Sequence, residues 1–254
     1  METAHLTHHI SSRYNEDLER LRSSVLKMGG VVEAQLSDAV TALLTADSQL
    51  AQRAAHRDHI IDGLEIAIDE DCGRILATRS PAASDLRLVF AVIKTITDLE
   101  RAGDEGEKVA YVAMRVNGAD RSTDRYWELR HLGRLAIEQL RAALDAFSRL
   151  DGEAAIACAR GDRMLDSEFE MVQRLCITFM MEDPRTIRRA LDVMKVARAL
   201  ERIGDHAKNI CEYVVYVVLG KDVRHRSLEE AAAELERRRA QPGARELIDS
   251  DAVP

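Results

Sequence analysis

Two short segments place carboxylates one helical turn apart beside a glycine. Residues 98–109 read DLERAGDEGEKV and residues 199–210 read ALERIGDHAKNI. Glu100 with Asp104, and Glu201 with Asp205, stand at i, i+4. On a helix each pair shares a face, where like charges destabilise by roughly 0.2–0.5 kcal/mol. Gly103 and Gly204 weaken a helix interior by about 1 kcal/mol more, relative to Ala. Earlier in the chain Asp58, Asp62, Glu65 and Asp69 follow i, i+4, i+7, i+11, so they project from one side of a helix. Asp162 and Asp166 repeat the first two members, with Phe169 and Gln173 at the later positions. A hard divalent or trivalent cation with oxygen ligands from adjacent helices would offset the repulsion. The same spacing also suits two plainer roles. Arg101 and Arg202 follow the two glutamates, so surface ion pairing accounts for part of the pattern. Gly103 and Gly204 also suit close helix packing.

Other chemistry is poorly served. A ferritin-like di-iron site needs two Glu-x-x-His pairs. Only Glu128 with His131 has that spacing, and His206 stands five residues after Glu201. There is no Walker loop, no GxGxxG and no GxSxG. His5, His8 and His9 fall in an N-terminal stretch expected to fray, and His206 and Cys211 read as packing or surface residues. The chain is not expected to be an enzyme. A metal-dependent helical-bundle enzyme or a metal-storage protein using the duplicated carboxylates is the alternative.

The elements that must position these residues come from an internal repeat. At an offset of 104, Leu36, Ala39, Asp47, Ala51, Ala55, Asp58 and Asp62 meet Leu140, Ala143, Asp151, Ala155, Ala159, Asp162 and Asp166. At an offset of 101, Lys94, Leu99, Glu100, Arg101, Gly103 and Asp104 meet Lys195, Leu200, Glu201, Arg202, Gly204 and Asp205. Each copy predicts three antiparallel, up-down helices. In the first they span about 15–45, 47–79 with Asp47 as N-cap, and 84 to the Asn117-Gly118 stop. In the second they span about 124–150, 151–182, and a last helix after Pro184 to Leu219-Gly220. The fold expected is all-α, a tandem repeat of two three-helix bundles. The segments are 1–13 at the N-terminus, 14–119 and 122–220 as the repeats, and 221–254 as a charged, mobile tail. On the last helix Val193, Val196, Leu200, Ile203, Ala207, Ile210, Val214 and Val217 form the apolar stripe, with Glu201 and Asp205 opposite. Val92, Leu99, Ala102, Val109 and Val116 do the same in the first copy.

Composition agrees with helices. Aromatics are only 4% and there are four prolines, too few turn-formers for an all-β chain of 254 residues. A net charge of −8 argues against broad contact with nucleic acid or an acidic membrane. The scattered Cys72, Cys158, Cys176 and Cys211 suit reduced core thiols. The N-terminal stretch lacks the apolar centre of a signal peptide, and YVVYVVL is too short to span a bilayer, so a soluble cytoplasmic protein is expected.

LERAGDEGEKVA and LERIGDHAKNICEYVVY resemble the paired signature of the PhoU family of bacterial phosphate-signalling regulators. LRSSVLKMGGVVEAQLSDAV, AIDEDCGRILATRSPAASDLRLV and FMMEDPRTI are similar to its other segments, so the resemblance covers about residues 5–225. It implies two three-helix bundles, and metal clusters bound through E(D)xxxD motifs. Here these are Glu100 with Asp104 and Glu201 with Asp205, completed by Asp58, Asp62, Asp162 and Asp166. Iron, zinc, manganese and magnesium are the metals the resemblance implies, in multinuclear clusters. It further implies negative regulation of phosphate-regulon signalling and phosphate uptake. The implied partners are the nucleotide-binding subunit of the phosphate ABC transporter and a phosphate sensor histidine kinase. A homodimer is implied as well, reaching the membrane only through its partners.

Overall fold

The computed structural model describes residues 12–116, 126–222 and 228–240. The first repeat comprises α1 (Ser12–Thr45), α2 (Ser48–His56), α3 (Asp58–Arg79) and α4 (Ala83–Val116). The second comprises α5 (Leu129–Arg149), α6 (Gly152–Glu182), a short 3₁₀ turn (Pro184–Thr186) and α7 (Ile187–Leu219). A further helix, α8 (Leu228–Ala240), follows. Among the described residues there is no strand, and the chain is all-α as expected.

The polar punctuation works as the sequence predicts. Asp47 and Asp151 cap the second helix of each copy, accepting from the backbone N–H of Leu50 at 3.0 Å and of Ala154 at 2.9 Å. Gly220 ends α7 in the left-handed region at φ 67°, which a glycine adopts without a Cβ clash. The expected stop at Asn117-Gly118 and the start at Asp124 lie outside the described residues, as do His5, His8 and His9.

Two features differ from expectation. The single helix predicted over 47–79 is interrupted at Arg57, where the sequence copy in the second repeat has Gly161. Arg57 donates to Asp38 at 2.6 Å and to the Ala34 carbonyl at 3.0 Å, so its side chain is tethered to α1 at the break. The charged stretch after Lys221 also contains a packed element. Ala231 of α8 is buried, Lys221 donates to Glu234 at 2.9 Å, and Leu235 methyls lie against Gly152 at the start of α6.

Within the first repeat α4 packs against α1, α2 and α3, and within the second α7 packs against α5 and α6. The two repeats join along α1–α5 and α4–α7, so one apolar core runs through both. The α1–α5 crossing is reciprocal. A Cβ on Gly29 would collide with the methyls of Leu144, and one on Gly133 would stand 2.8 Å from Val40. Gly133 is the repeat equivalent of Gly29, and Leu144 that of Val40, so each helix offers a notch and a knob.

The α4–α7 seam is antiparallel and polar. Asp98 on α4 is buried and accepts from Tyr213 Oη at 2.7 Å and Asn209 Nδ2 at 3.1 Å. His206 Nδ1 lies 2.7 Å from the same carboxylate and carries the hydrogen between them, because an ionised carboxylate can only accept. Farther along, Arg202 pairs with the buried Glu105 at 3.0 Å, and Arg115 with Asp192 at 2.7 Å.

Filling the α1 notch tests the crossing. Gly29→Val should lower stability in urea by about 1–3 kcal/mol, the usual cost of overpacking a close-packed contact. Adding Leu144→Ala should recover part of that loss, because the two positions share the contact.

Candidate metal centre

The core stripe on α7 is buried at every position predicted, from Val193 to Val217. Glu201 and Asp205 fall on the side of α7 along which α6 packs; Glu201 is half-buried there, whereas Asp205 and Asp166 of α6 are exposed. The Glu201 side chain is 12% exposed, and Asp162 on α6 is buried. In the first repeat Asp58 and Asp62 of α3 face Glu100 and Asp104 of α4, and all four are half-buried.

Gly103 and Gly204 have a packing role. A Cβ on Gly103 would stand 2.9 Å from Ile61, and one on Gly204 would stand 3.1 Å from Leu165. The missing side chains let the neighbouring helix approach, and this brings each Asp-x-x-x-Asp set alongside its Glu-x-x-x-Asp set. Under each notch lies a glutamine that the sequence reading missed. Gln35 on α1 is fully buried and its Oε1 is 3.2 Å from where a Cβ on Gly106 would sit. Gln139 on α5 donates to Asp162 Oδ1 at 3.2 Å. The signal was present, since Gln35 and Gln139 stand at the 104-residue offset, immediately before Leu36 and Leu140.

Proximity shows in the ionisation of the carboxylates. Partial burial, reinforced by Asp104, Glu65, Asp62 and Asp58, pushes Glu100 above the usual carboxylate range. Burial followed by Glu107, Asp62 and Asp104 does the same for Asp58. On the second face Glu201 is raised by burial and by Asp205, with Arg198 opposing. Asp205 is raised by burial and Asp162, and Lys208, His206 and Arg198 pull it down. Asp166 is raised by burial, Asp162 and Asp205.

Among the described residues, no three His, Cys, Asp or Glu side chains are gathered into a finished set of metal ligands. The two faces are open carboxylate grooves, whose members would have to draw together around a cation. In donor chemistry they fit a hard cation, being all oxygen. The Glu128–His131 spacing makes no site, for Glu128 is buried and accepts from Arg189 at 2.6 Å, whereas His131 faces Arg134 at 2.9 Å. All four cysteines are free thiols. Among the described residues no helix is long and apolar enough to cross a membrane.

A helical chain with two equivalent acidic faces defines a class of duplicated, all-α proteins, and comparisons with known proteins narrow it. Residues 25–113 and 129–214 each match the family described as "PhoU domain". The chain is 50% identical over 231 residues to the phosphate-specific transport system accessory protein PhoU homolog of Pseudomonas putida, covering 91% of this chain and 90% of that one. It is 45% identical to the phosphate-specific transport system accessory protein PhoU of Escherichia coli strain K12, covering 89% and 93%. The crystal structure of PhoU from Pseudomonas aeruginosa superposes with a TM-score of 0.79 at 48% identity, covering 82% of this chain and all of that one. That of the phosphate transport system regulatory protein PhoU from Streptococcus pneumoniae gives 0.76 at 30% identity, covering 83% and 99%. The chain belongs to the PhoU family. Its relatives' names are those of accessory and regulatory proteins, not of enzymes.

The raised ionisation of Glu100 has a stability consequence. A carboxyl whose folded value exceeds its unfolded value stabilises the fold fully below the unfolded value, and loses that contribution as pH rises through the folded one. In chelator at neutral pH, Glu100→Gln should therefore be more stable than the parent. With the pair repulsion as the scale, the gain is about 0.5 kcal/mol, or roughly 1–2 °C in Tm. Thermal melts at decreasing pH should show the difference closing below about pH 4, where the unfolded carboxyl is protonated.

Proposed function

We propose that this chain is a negative regulator of phosphate uptake and of phosphate-regulon signalling, working in the cytoplasm through protein–protein contacts. The observation that carries the reading is near-full-length likeness to accessory proteins of the phosphate-specific transport system. The proposed partners are the nucleotide-binding subunit of a phosphate ABC transporter and a phosphate sensor histidine kinase, with a homodimer as the working form. A folded bundle that lacks a membrane-crossing helix among its described residues is compatible with contact to membrane systems through such partners.

Metal binding is part of the proposal. Glu100 and Asp104 with Asp58 and Asp62 would hold a cation on the first face, and Glu201 and Asp205 with Asp162 and Asp166 on the second. A bound cation would supply positive charge in a groove that is otherwise self-repelling. The support is the mutual proximity of these carboxylates and the partial burial of Asp58, Asp62, Glu100, Asp104 and Glu201, with Glu100, Asp58, Glu201, Asp205 and Asp166 raised above the usual range. What the chain does by itself is hold α3 against α4, and α6 against α7, through the Gly103 and Gly204 notches. The surface formed by these helices is the one the partners would read.

Elemental analysis of the untagged protein, with partner binding before and after chelation, tests this reading. Glu100→Ala with Asp104→Ala should cut metal content and weaken capture of the nucleotide-binding subunit by about tenfold or more. A cell lacking the chain should express phosphate-starvation genes in phosphate-rich medium, and the parental chain should restore repression. Unchanged metal content and unchanged capture would remove metal from the mechanism, and unaltered gene expression would remove the regulatory role.

A further inference from the structure

We propose that Cys158 and Cys211 form an oxidisable dithiol, which a hydroperoxide converts into a disulfide linking α6 to α7. The inference is independent of metal binding and of the proposed partners.

The repeat explains why these two positions meet. Cys158 stands at the place of Ala54 and Cys211 at that of Ala110, by the offsets of 104 and 101. Ala54 and Ala110 are both fully buried, on α2 and α4, which pack together. Positions filled by alanine in one copy lie where two helix backbones come close, and a disulfide needs Cβ atoms about 3.5–4.5 Å apart. In the second repeat a thiol stands on each side of that approach. The two thiols are hydrogen-bonded to each other, and Cys158 Sγ donates to the Gln139 carbonyl on α5 at 3.4 Å. The one hydrogen on Cys158 is thus committed to Gln139, so Cys211 is the donor between the two sulfurs.

The thiols are unequal, and the inequality assigns their roles. Cys158 is half-buried, with Ala157 and Arg160 exposed beside it, whereas Cys211 is fully buried. The hydrogen bond from Cys211 holds the Cys158 thiol below its ordinary value, against burial and the nearby Asp162. The same bond and burial push Cys211 well up. Cys158 is therefore the sulfur that solvent reaches and the one richer in thiolate, the nucleophilic form. The other two cysteines lack this arrangement. Burial pushes Cys72 up to about 12 and Cys176 up to about 11, and the groups acting on them are carboxylates and an arginine, not a thiol.

With hydrogen peroxide as the oxidant the reaction balances in two steps. The Cys158 thiolate attacks one peroxide oxygen; an S–O bond forms, the O–O bond breaks, and the departing hydroxide takes a proton to become water. Cys211 then attacks the sulfenic sulfur of Cys158; the S–S bond forms, the S–O bond breaks, and the oxygen leaves as water with the Cys211 proton. The two sulfurs together lose the electron pair that the peroxide gains. A dithiol of this kind suits a reducing compartment, where disulfides are usually transient and redox-sensing.

The reduced full chain, treated with hydrogen peroxide, alkylated in denaturant and mapped by mass spectrometry without reductant, tests the assignment. Two of the four thiols should be lost as one intramolecular link between the Cys158 and Cys211 peptides, and dithiothreitol should restore both. Cys72 and Cys176 should remain open to alkylation. Cys158→Ala and Cys211→Ala copy the alanines of the first repeat, so both variants should fold as the parent does. Cys211→Ala should trap Cys158 as a sulfenic acid that dimedone labels. Cys158→Ala should slow oxidation of Cys211 by more than about tenfold, since thiolate fraction and access set the rate. No link in the parental chain, or links formed as readily through Cys72 or Cys176, overturns the proposal. Dimedone labelling of Cys211 in Cys158→Ala as fast as that of Cys158 in Cys211→Ala overturns the assignment of Cys158 as the attacking sulfur.

Discussion

The close approach of the second and third helices in each repeat is the constraint on which the rest of this molecule depends. Gly103 and Gly204 each accept an aliphatic side chain, Ile61 or Leu165, at a distance that a Cβ would forbid. Each glycine weakens its helix by about 1 kcal/mol relative to Ala, a cost that burial of a branched side chain offsets, at roughly 1.5–3 kcal/mol. The approach also narrows the groove between the helices. On the first face Asp58, Asp62, Glu100 and Asp104 become half-buried neighbours, and their charges act on one another through protein as well as through water. The acidic pattern and the glycines are therefore one device.

Duplication gives the two repeats the same scaffold but leaves their polar contacts free to diverge. The α1–α5 crossing keeps its symmetry, with Gly29 and Gly133 receiving Leu144 and Val40. The α4–α7 seam does not. Asp98 collects His206, Asn209 and Tyr213, yet its repeat equivalent is Ala199. Glu105, equivalent to His206, instead pairs with Arg202 and Lys108. A buried carboxylate with three donors is satisfied: His206 and Asn209 share Oδ1, and the Tyr213 hydroxyl serves Oδ2 at the join between the repeats.

Much of this was legible in the sequence because it rests on local rules. Asp47 and Asp151 announced helix starts, the apolar stripes announced the buried faces, and the constant offsets announced two copies of one bundle. What the sequence concealed depends on neighbours distant along the chain. Arg57 interrupts a helix that continues unbroken through Gly161, and its partners are on α1. A charged stretch of alanines and glutamates reads as a solvated tail until Ala231 and Leu235 find α6. Glu201 sits opposite its own helix's stripe, and only the packing of α6 shows that this side too is partly covered. Nothing in the sequence pairs Lys208 with Asp162, and only the packing of α6 on α7 brings them together.

The position of α4 joins the acidic face to the seam. Glu100 and Asp98 are two residues apart on one helix, so they point to different sides: Glu100 toward α3, Asp98 toward α7. Any force that draws α3 and α4 together acts on the helix that also holds the two repeats in register. A surface ion pair would transmit little, being worth less than about 1 kcal/mol and screened by salt. A half-buried groove of like charge is different, because its repulsion is less screened and relaxes when one cation enters or when the carboxylates take up protons. Helices held by packed side chains respond by rigid shifts between discrete arrangements rather than by continuous bending. The charge of the first face and the packing of the seam thus both bear on α4, which carries Glu100 toward α3 and Asp98 toward α7.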